Sequence, residues 1–96
     1  MYQFRQVSRE KDIELCLRQG VEARGGAAFK FRSSVRGVPD RIVVMEGGRV
    51  FFIEMKTSRG RLSWPQERVH GVLRALGATV VVLRSLDDVV EFLESL

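Results

Sequence analysis

Two strand-like runs, Arg41–Met45 and Arg49–Met55, are separated only by Glu46-Gly47-Gly48, and this spacing constrains the chain more than any other feature. Consecutive glycines supply the positive-φ positions a tight turn needs, so the two runs read as an antiparallel hairpin. Side chains alternate along a strand, which puts Val50, Phe52, Glu54 and Lys56 on one face and Phe51, Ile53 and Met55 on the other. A carboxylate and an ammonium therefore stand side by side at the end of an apolar strand. Turn length decides whether Asp40 joins them. A two-residue Gly-Gly turn pairs 46 with 49 and sets Asp40 against Met55. A three-residue turn over 46–48, with Gly48 left-handed, pairs 45 with 49 and sets Asp40 against Glu54. Both turns are chemically allowed. The three-residue turn is the expectation, and it carries a consequence: directly opposed carboxylates destabilise a sheet unless something positive lies between them.

The hairpin sits inside a mixed pattern. Ser8 is placed to cap a helix running to about Ala23, ended by Gly25-Gly26. Ala27–Phe31 reads as a short strand, and residues 32–39 as a polar, basic connection punctuated by Gly37 and Pro39. Ser63, with Gln66 three residues on, opens a second helix as a capping box. Val69, Val72, Leu73 and Leu76 are expected to form its apolar face, and Gly77 to end it. Ala78–Leu83 is a buried-strand run, and Ser85 caps a last helix carrying Val89, Val90 and Leu93. The order αβββαβα predicts an α/β fold, a single small domain over 1–96 with a mixed central sheet flanked by helices.

At 96 residues and 45% hydrophobic composition the chain suits one modest core. Cys16 is its one cysteine, which leaves neither a disulfide framework nor a cysteine zinc cluster. The apolar runs are too short to cross a bilayer, and the N-terminal residues lack the apolar stretch of a signal peptide, so a soluble cytoplasmic protein with no membrane partner is expected. Charge is unevenly spread. Residues 24–74 hold eleven Arg and Lys and four acids, a net +7, against −3 for the remainder. Such a basic middle is suited to holding phosphate.

Asp and Glu oxygens, with no cysteine or ligand-spaced histidine beside them, suit Mg²⁺ or Mn²⁺ rather than zinc. Lys56 beside the carboxylates can orient a water or stabilise charge developing on a phosphoryl oxygen. The first helix offers a further acid: Glu10 falls in the stripe of Ile13, Leu17 and Val21, and Glu14 lies on its shoulder. His70 has no acid or cysteine arranged as a partner and reads as a surface residue. No Gly-rich phosphate loop of the G-x-x-x-x-G-K type is present, which argues against a nucleotide hydrolase.

Taken together, GG-x3-K at 25–30, GVPDR at 37–41, GG-R-V-x-F-I-E-x-K at 47–56, G-x-L-S-x-x-Q at 60–66 and LGATVVVLRS at 76–85 resemble the VRR-NUC domain, a branch of the PD-(D/E)xK nuclease superfamily. The resemblance spans Glu10 to Leu93 and implies a restriction-endonuclease-like fold. It also implies that Asp40 and Glu54 are the metal carboxylates, with the backbone carbonyl of Met55 as a further ligand. Lys56 is then the catalytic lysine and Gln66 the glutamine of the following helix. Glu10 looks like the first-helix acid, with Glu14 as its alternative. Lys30, Arg32 and Arg36, beside Asp40, become candidates for phosphate contacts, and Arg59 and Arg61 would bracket the site from the other loop. Stand-alone domains of this size look like phage-type enzymes that act as homodimers on branched DNA, as Holliday junction resolvases do, in a bacterial or phage-infected cell. The implied function is a Mg²⁺- or Mn²⁺-dependent endodeoxyribonuclease. The competing reading is a catalytically inactive DNA-binding or scaffold module on the same fold.

Overall fold

The computed structural model describes residues 10–96; the expected Ser8 cap and the strand-like run at 2–7 lie outside them. Three helices and four strands follow in the order α1 (Glu10–Ala23), β1 (Ala27–Lys30), β2 (Arg41–Met45), β3 (Arg49–Met55), α2 (Trp64–Ala75), β4 (Thr79–Leu83) and α3 (Leu86–Glu94). The strands form one mixed sheet in the order β1-β2-β3-β4, antiparallel except for the parallel pair β3 and β4. This is the expected α/β arrangement, with α2 as the crossover that a parallel pair requires.

The hairpin turn is three residues long. Met45 pairs with Arg49 and Arg41 with Ile53, so the ladder continued one step sets Asp40 against Glu54. A short 3-10 turn over Glu46–Gly48 makes the reversal, with Gly47 at φ 83° and Gly48 at φ 74°. Two successive left-handed positions explain why both residues are glycine.

The core lies on one side of the sheet. Val43 and Met45 of β2, Ile53 and Met55 of β3 and Leu83 of β4 meet Ile13, Leu17 and Val21 of α1 and Val89, Phe92 and Leu93 of α3. Phe51 adds an edge-on contact with Phe92, ring centroids 5.4 Å apart. Helix α2 lies against β4 on the opposite side and covers only part of it. Its buried residues are Val69 and His70, whereas Val72 and Leu76 are exposed, which corrects the expected face. Gln66 and His70, one turn apart, turn toward the sheet instead. Val90 of α3, also expected in the core, is exposed, and Phe92 takes its place.

Gly37 joins the connection before β2 to the start of α2. Its φ is +98°, and a Cβ there would stand 2.2 Å from the carbonyl oxygen of Pro65. Gly47 has a similar φ of +83° with open space around it. Gly47→Ala should therefore cost about 1 kcal/mol from backbone strain alone, and Gly37→Ala about 2 kcal/mol or more because helix α2 must also move. Urea unfolding of both variants checks this ordering; equal losses would show that the contact with Pro65 contributes nothing.

Candidate active site

Asp40 and Glu54 meet at the end of the sheet, where β2 begins and β3 finishes. Asp40 Oδ1 accepts from the backbone N–H of Met55 at 3.5 Å, which draws the carboxyl group across onto β3. Asp40 Oδ2 is 2.7 Å from the guanidinium of Arg41. Arg41 itself is only 4% exposed, since it shares the core-facing side of β2 with Val43 and Met45. Its Nε lies 2.8 Å from Glu14 Oε2 on α1, an ion pair whose N–H is not aligned as a hydrogen bond. Burial opposes the Arg41 charge, but Glu14 and Asp40 outweigh it and hold its pKa above the ordinary value. Helix α1 thus reaches Asp40 through Arg41, and Glu14, the alternative first-helix acid, is already engaged.

Glu54 is served by α2. The Ser63 side chain accepts from the Gln66 N–H at 3.2 Å, and Gln66 Oε1 accepts from the Ser63 N–H at 2.8 Å, completing the expected capping box. With Oε1 committed to the cap, the amide must turn Nε2 the other way, where it donates to Glu54 Oε2 at 3.3 Å. His70 Nε2 is 3.8 Å from the other oxygen, Glu54 Oε1. His70 is 1% exposed and so is not the expected surface residue. Glu54 is 4% exposed, and its Oε1 has no hydrogen-bond partner among the described residues. Burial first, and Asp40 second, push the Glu54 carboxyl up to about 7 against the opposing pull of Lys56 and Arg41.

A cavity of about 580 Å³ opens beside Asp40, lined by Glu10, Lys30, Arg32, Arg36, Asp40 and Arg41 among others. It brings the expected first-helix acid and three of the expected phosphate contacts to one place. Glu10 stands exposed at this rim rather than inside the apolar stripe. Lys56 continues the Glu54 face of β3, its N–H held by the Leu83 carbonyl at 3.0 Å. Arg59 and Arg61 are exposed on the following loop, which Arg84 ties down through the carbonyls of Thr57 and Gly60. Sequence reasoning missed Arg41 and His70 as parts of the site. Strand parity marks Arg41 as core-facing, and helical spacing puts His70 on the Gln66 face, so both signals were available.

Among the described residues no three His, Cys, Asp or Glu side chains converge as a ready metal cage. The pair nevertheless fits a hard divalent cation. Mg²⁺ is commonly held by one or two carboxylates with water and substrate phosphate completing the shell, and the buried, unpartnered Glu54 Oε1 supplies the kind of oxygen such an ion takes.

Both the sequence and the fold match known proteins. The VRR-NUC domain family profile matches residues 3–87. "Putative nuclease p44" of Acyrthosiphon pisum secondary endosymbiont phage 1 is 44% identical over 80 residues, covering 82% of this chain and 86% of that protein. A solved structure described as a VRR_NUC domain superposes with a TM-score of 0.82 at 30% identity, over 88% of this chain and 94% of its own.

The raised Glu54 pKa has a sign that can be tested in chelator. A folded-state value of about 7, against an ordinary 4.5, means the folded chain holds the extra proton between those values. Stability associated with Glu54 is then fully present at low pH and is lost as pH rises through 7. Glu54→Gln should stabilise the metal-free protein at pH 8, on the order of 1–3 kcal/mol, and leave it nearly unchanged at pH 4. Thermal melts in EDTA at the two pH values measure this; a loss of stability at pH 8 would contradict it. The match across most of the chain settles the relationship: this chain belongs to the VRR-NUC domain family.

Proposed function

We propose that this VRR-NUC nuclease domain is a Mg²⁺- or Mn²⁺-dependent endodeoxyribonuclease acting on branched duplex DNA. The observation that carries the reading is half-buried Asp40 beside buried Glu54, which has an unpartnered oxygen, at the edge of a basic cavity. Asp40, Glu54 and the Met55 carbonyl would hold the ion, with Glu10 completing its shell from α1. A bound divalent ion at this position would polarise the scissile phosphate and lower the pKa of an attacking water.

The chain's own groups do the rest. Lys30, Arg32 and Arg36 hold the DNA backbone beside Asp40, and Arg59 and Arg61 bracket it from the opposite loop. Lys56 positions the water and stabilises charge on the phosphoryl oxygen. Gln66 keeps the Glu54 carboxylate in one orientation, and Arg41 does the same for Asp40. Glu54→Gln should reduce cleavage to background while leaving DNA affinity within about threefold, because the basic face is untouched. Cleavage of linear duplex, flap, splayed-arm and four-way junction DNA in Mg²⁺ or Mn²⁺, with gel shifts in Ca²⁺, checks both halves. Binding without metal-dependent cleavage by the unmodified chain would instead favour the inactive DNA-binding module.

The two first-helix acids should separate. Glu10→Gln is expected to weaken apparent Mg²⁺ affinity with little effect on stability. Glu14→Gln removes a partner from a buried guanidinium and should cost about 1–3 kcal/mol. Mg²⁺ titration of activity and urea unfolding distinguish them, and reversed effects would exchange their roles.

Symmetric incision of a junction needs two sites related by a two-fold axis, so the active form in this proposal is a homodimer. Leu15 of α1 is 42% exposed at a groove of about 390 Å³ that it forms with Cys16, Gly20, Leu86 and Leu93. This groove is one surface that suits a second copy. Light scattering at micromolar protein should give a mass near twice 10.9 kDa. A monomer that persists with junction DNA and Ca²⁺ would remove the dimer from the proposal.

A further inference from the structure

His70 is buried where packing alone would favour leucine or methionine. Neither ring nitrogen has a hydrogen-bond partner among the described residues, and Glu54 Oε1, the oxygen facing Nε2, has none either. A buried polar atom left unmade costs about 1–3 kcal/mol, so unpartnered atoms facing each other ask for an explanation. The 3.8 Å separation is too long for a hydrogen bond and too short for a water to stand between. Closing it by less than about 1 Å makes the bond, a shift that a side-chain rotation supplies. The other carboxylate oxygen is already held by Gln66, one turn earlier on the same helix. Helix α2 thus presents two side chains to the two oxygens of one carboxylate.

We propose that His70 is a positioning residue for Glu54, carrying its proton on Nε2 and donating it to Oε1 so that, with Gln66, it fixes the plane of the carboxylate toward Asp40. A neutral imidazole suits this place. It offers a donor without adding a positive charge that would compete with a cation for the same oxygens. Burial, Arg74 and Lys56 all push the His70 pKa down, in favour of the neutral ring. Lysine or arginine would place a fixed charge there, whereas leucine would leave Oε1 free to rotate.

The inference rests on the reading of Glu54 as a metal-holding carboxylate, and the test separates the two. Mn²⁺ binding is measured by electron paramagnetic resonance, without DNA, for the unmodified chain, Glu54→Gln, His70→Leu and His70→Gln, with melting in EDTA as a folding control. His70→Leu should lower Mn²⁺ affinity about tenfold or more while melting cooperatively. His70→Gln, which keeps a donor, should recover affinity to within about threefold of the unmodified chain. Unchanged affinity in His70→Leu, or equal weakness in both variants, overturns the role of His70 and leaves that of Glu54 standing. No Mn²⁺ uptake by the unmodified chain, or undiminished uptake by Glu54→Gln, overturns the metal reading and this inference with it. Should His70→Leu fail to fold, ¹⁵N spectra of the unmodified chain decide: an Nε2–H ring whose resonance moves on Mg²⁺ addition supports the proposal, and an Nδ1–H ring sinks it.

Discussion

Two carboxylates brought together at the end of a sheet are the constraint on which the rest of this molecule depends. Opposed like charges weaken a strand pair, and burial makes them costlier still. Asp40 and Glu54 meet the first condition and Glu54 the second as well, and the Glu54 carboxyl is pushed up to about 7 as a result. What holds them there is an apolar core on one side of the sheet, built by α1 and α3 on β2, β3 and β4. A local arrangement this unfavourable persists only where its surroundings over-determine it.

The compensation is divided between two helices. Asp40 is reached from α1 through the Glu14 and Arg41 ion pairs, and Glu54 from α2 through Gln66. Each helix therefore controls one carboxylate, and the gap between the two groups depends on how the helices sit across the sheet edge. Gly37 is where the segment leading into Asp40 touches the first turn of α2, so the two halves are joined by backbone contact as well as by the ladder. The Ser63 cap extends this economy. The same Gln66 amide that satisfies the helix start is oriented by that bond to meet Glu54.

Much of this was legible in the sequence because it is periodic or capped. Strand alternation with a Glu46-Gly47-Gly48 turn yields the register, and Ser63 with Gln66 yields the start of α2. The misreadings have a common cause. Val72 and Leu76 look like core residues, but α2 covers only part of the sheet, and its inward face carries Gln66 and His70 beside Val69. Arg41 and His70 were passed over because charged and polar side chains are usually outside. Their burial depends on partners sixteen or more residues away, Glu14 for one and Glu54 for the other, which no local window contains. The first-helix acids were separable only in three dimensions, where Glu14 meets Arg41 and Glu10 meets the cavity.

The turn at Glu46–Gly48 lies at the far end of the hairpin from the carboxylates, six residues from Asp40, or about 20 Å along an extended strand. Yet it acts on them as a phase setting acts on a distant signal. Slipping the pairing there by one residue, as a two-residue turn would, rotates β3 by half a period against β2 and turns Glu54 away from Asp40 with no side chain of the site altered. Slipping it by two restores the parity and merely slides the strands. The two left-handed glycines that fix the turn therefore help to specify the site, although neither comes near it.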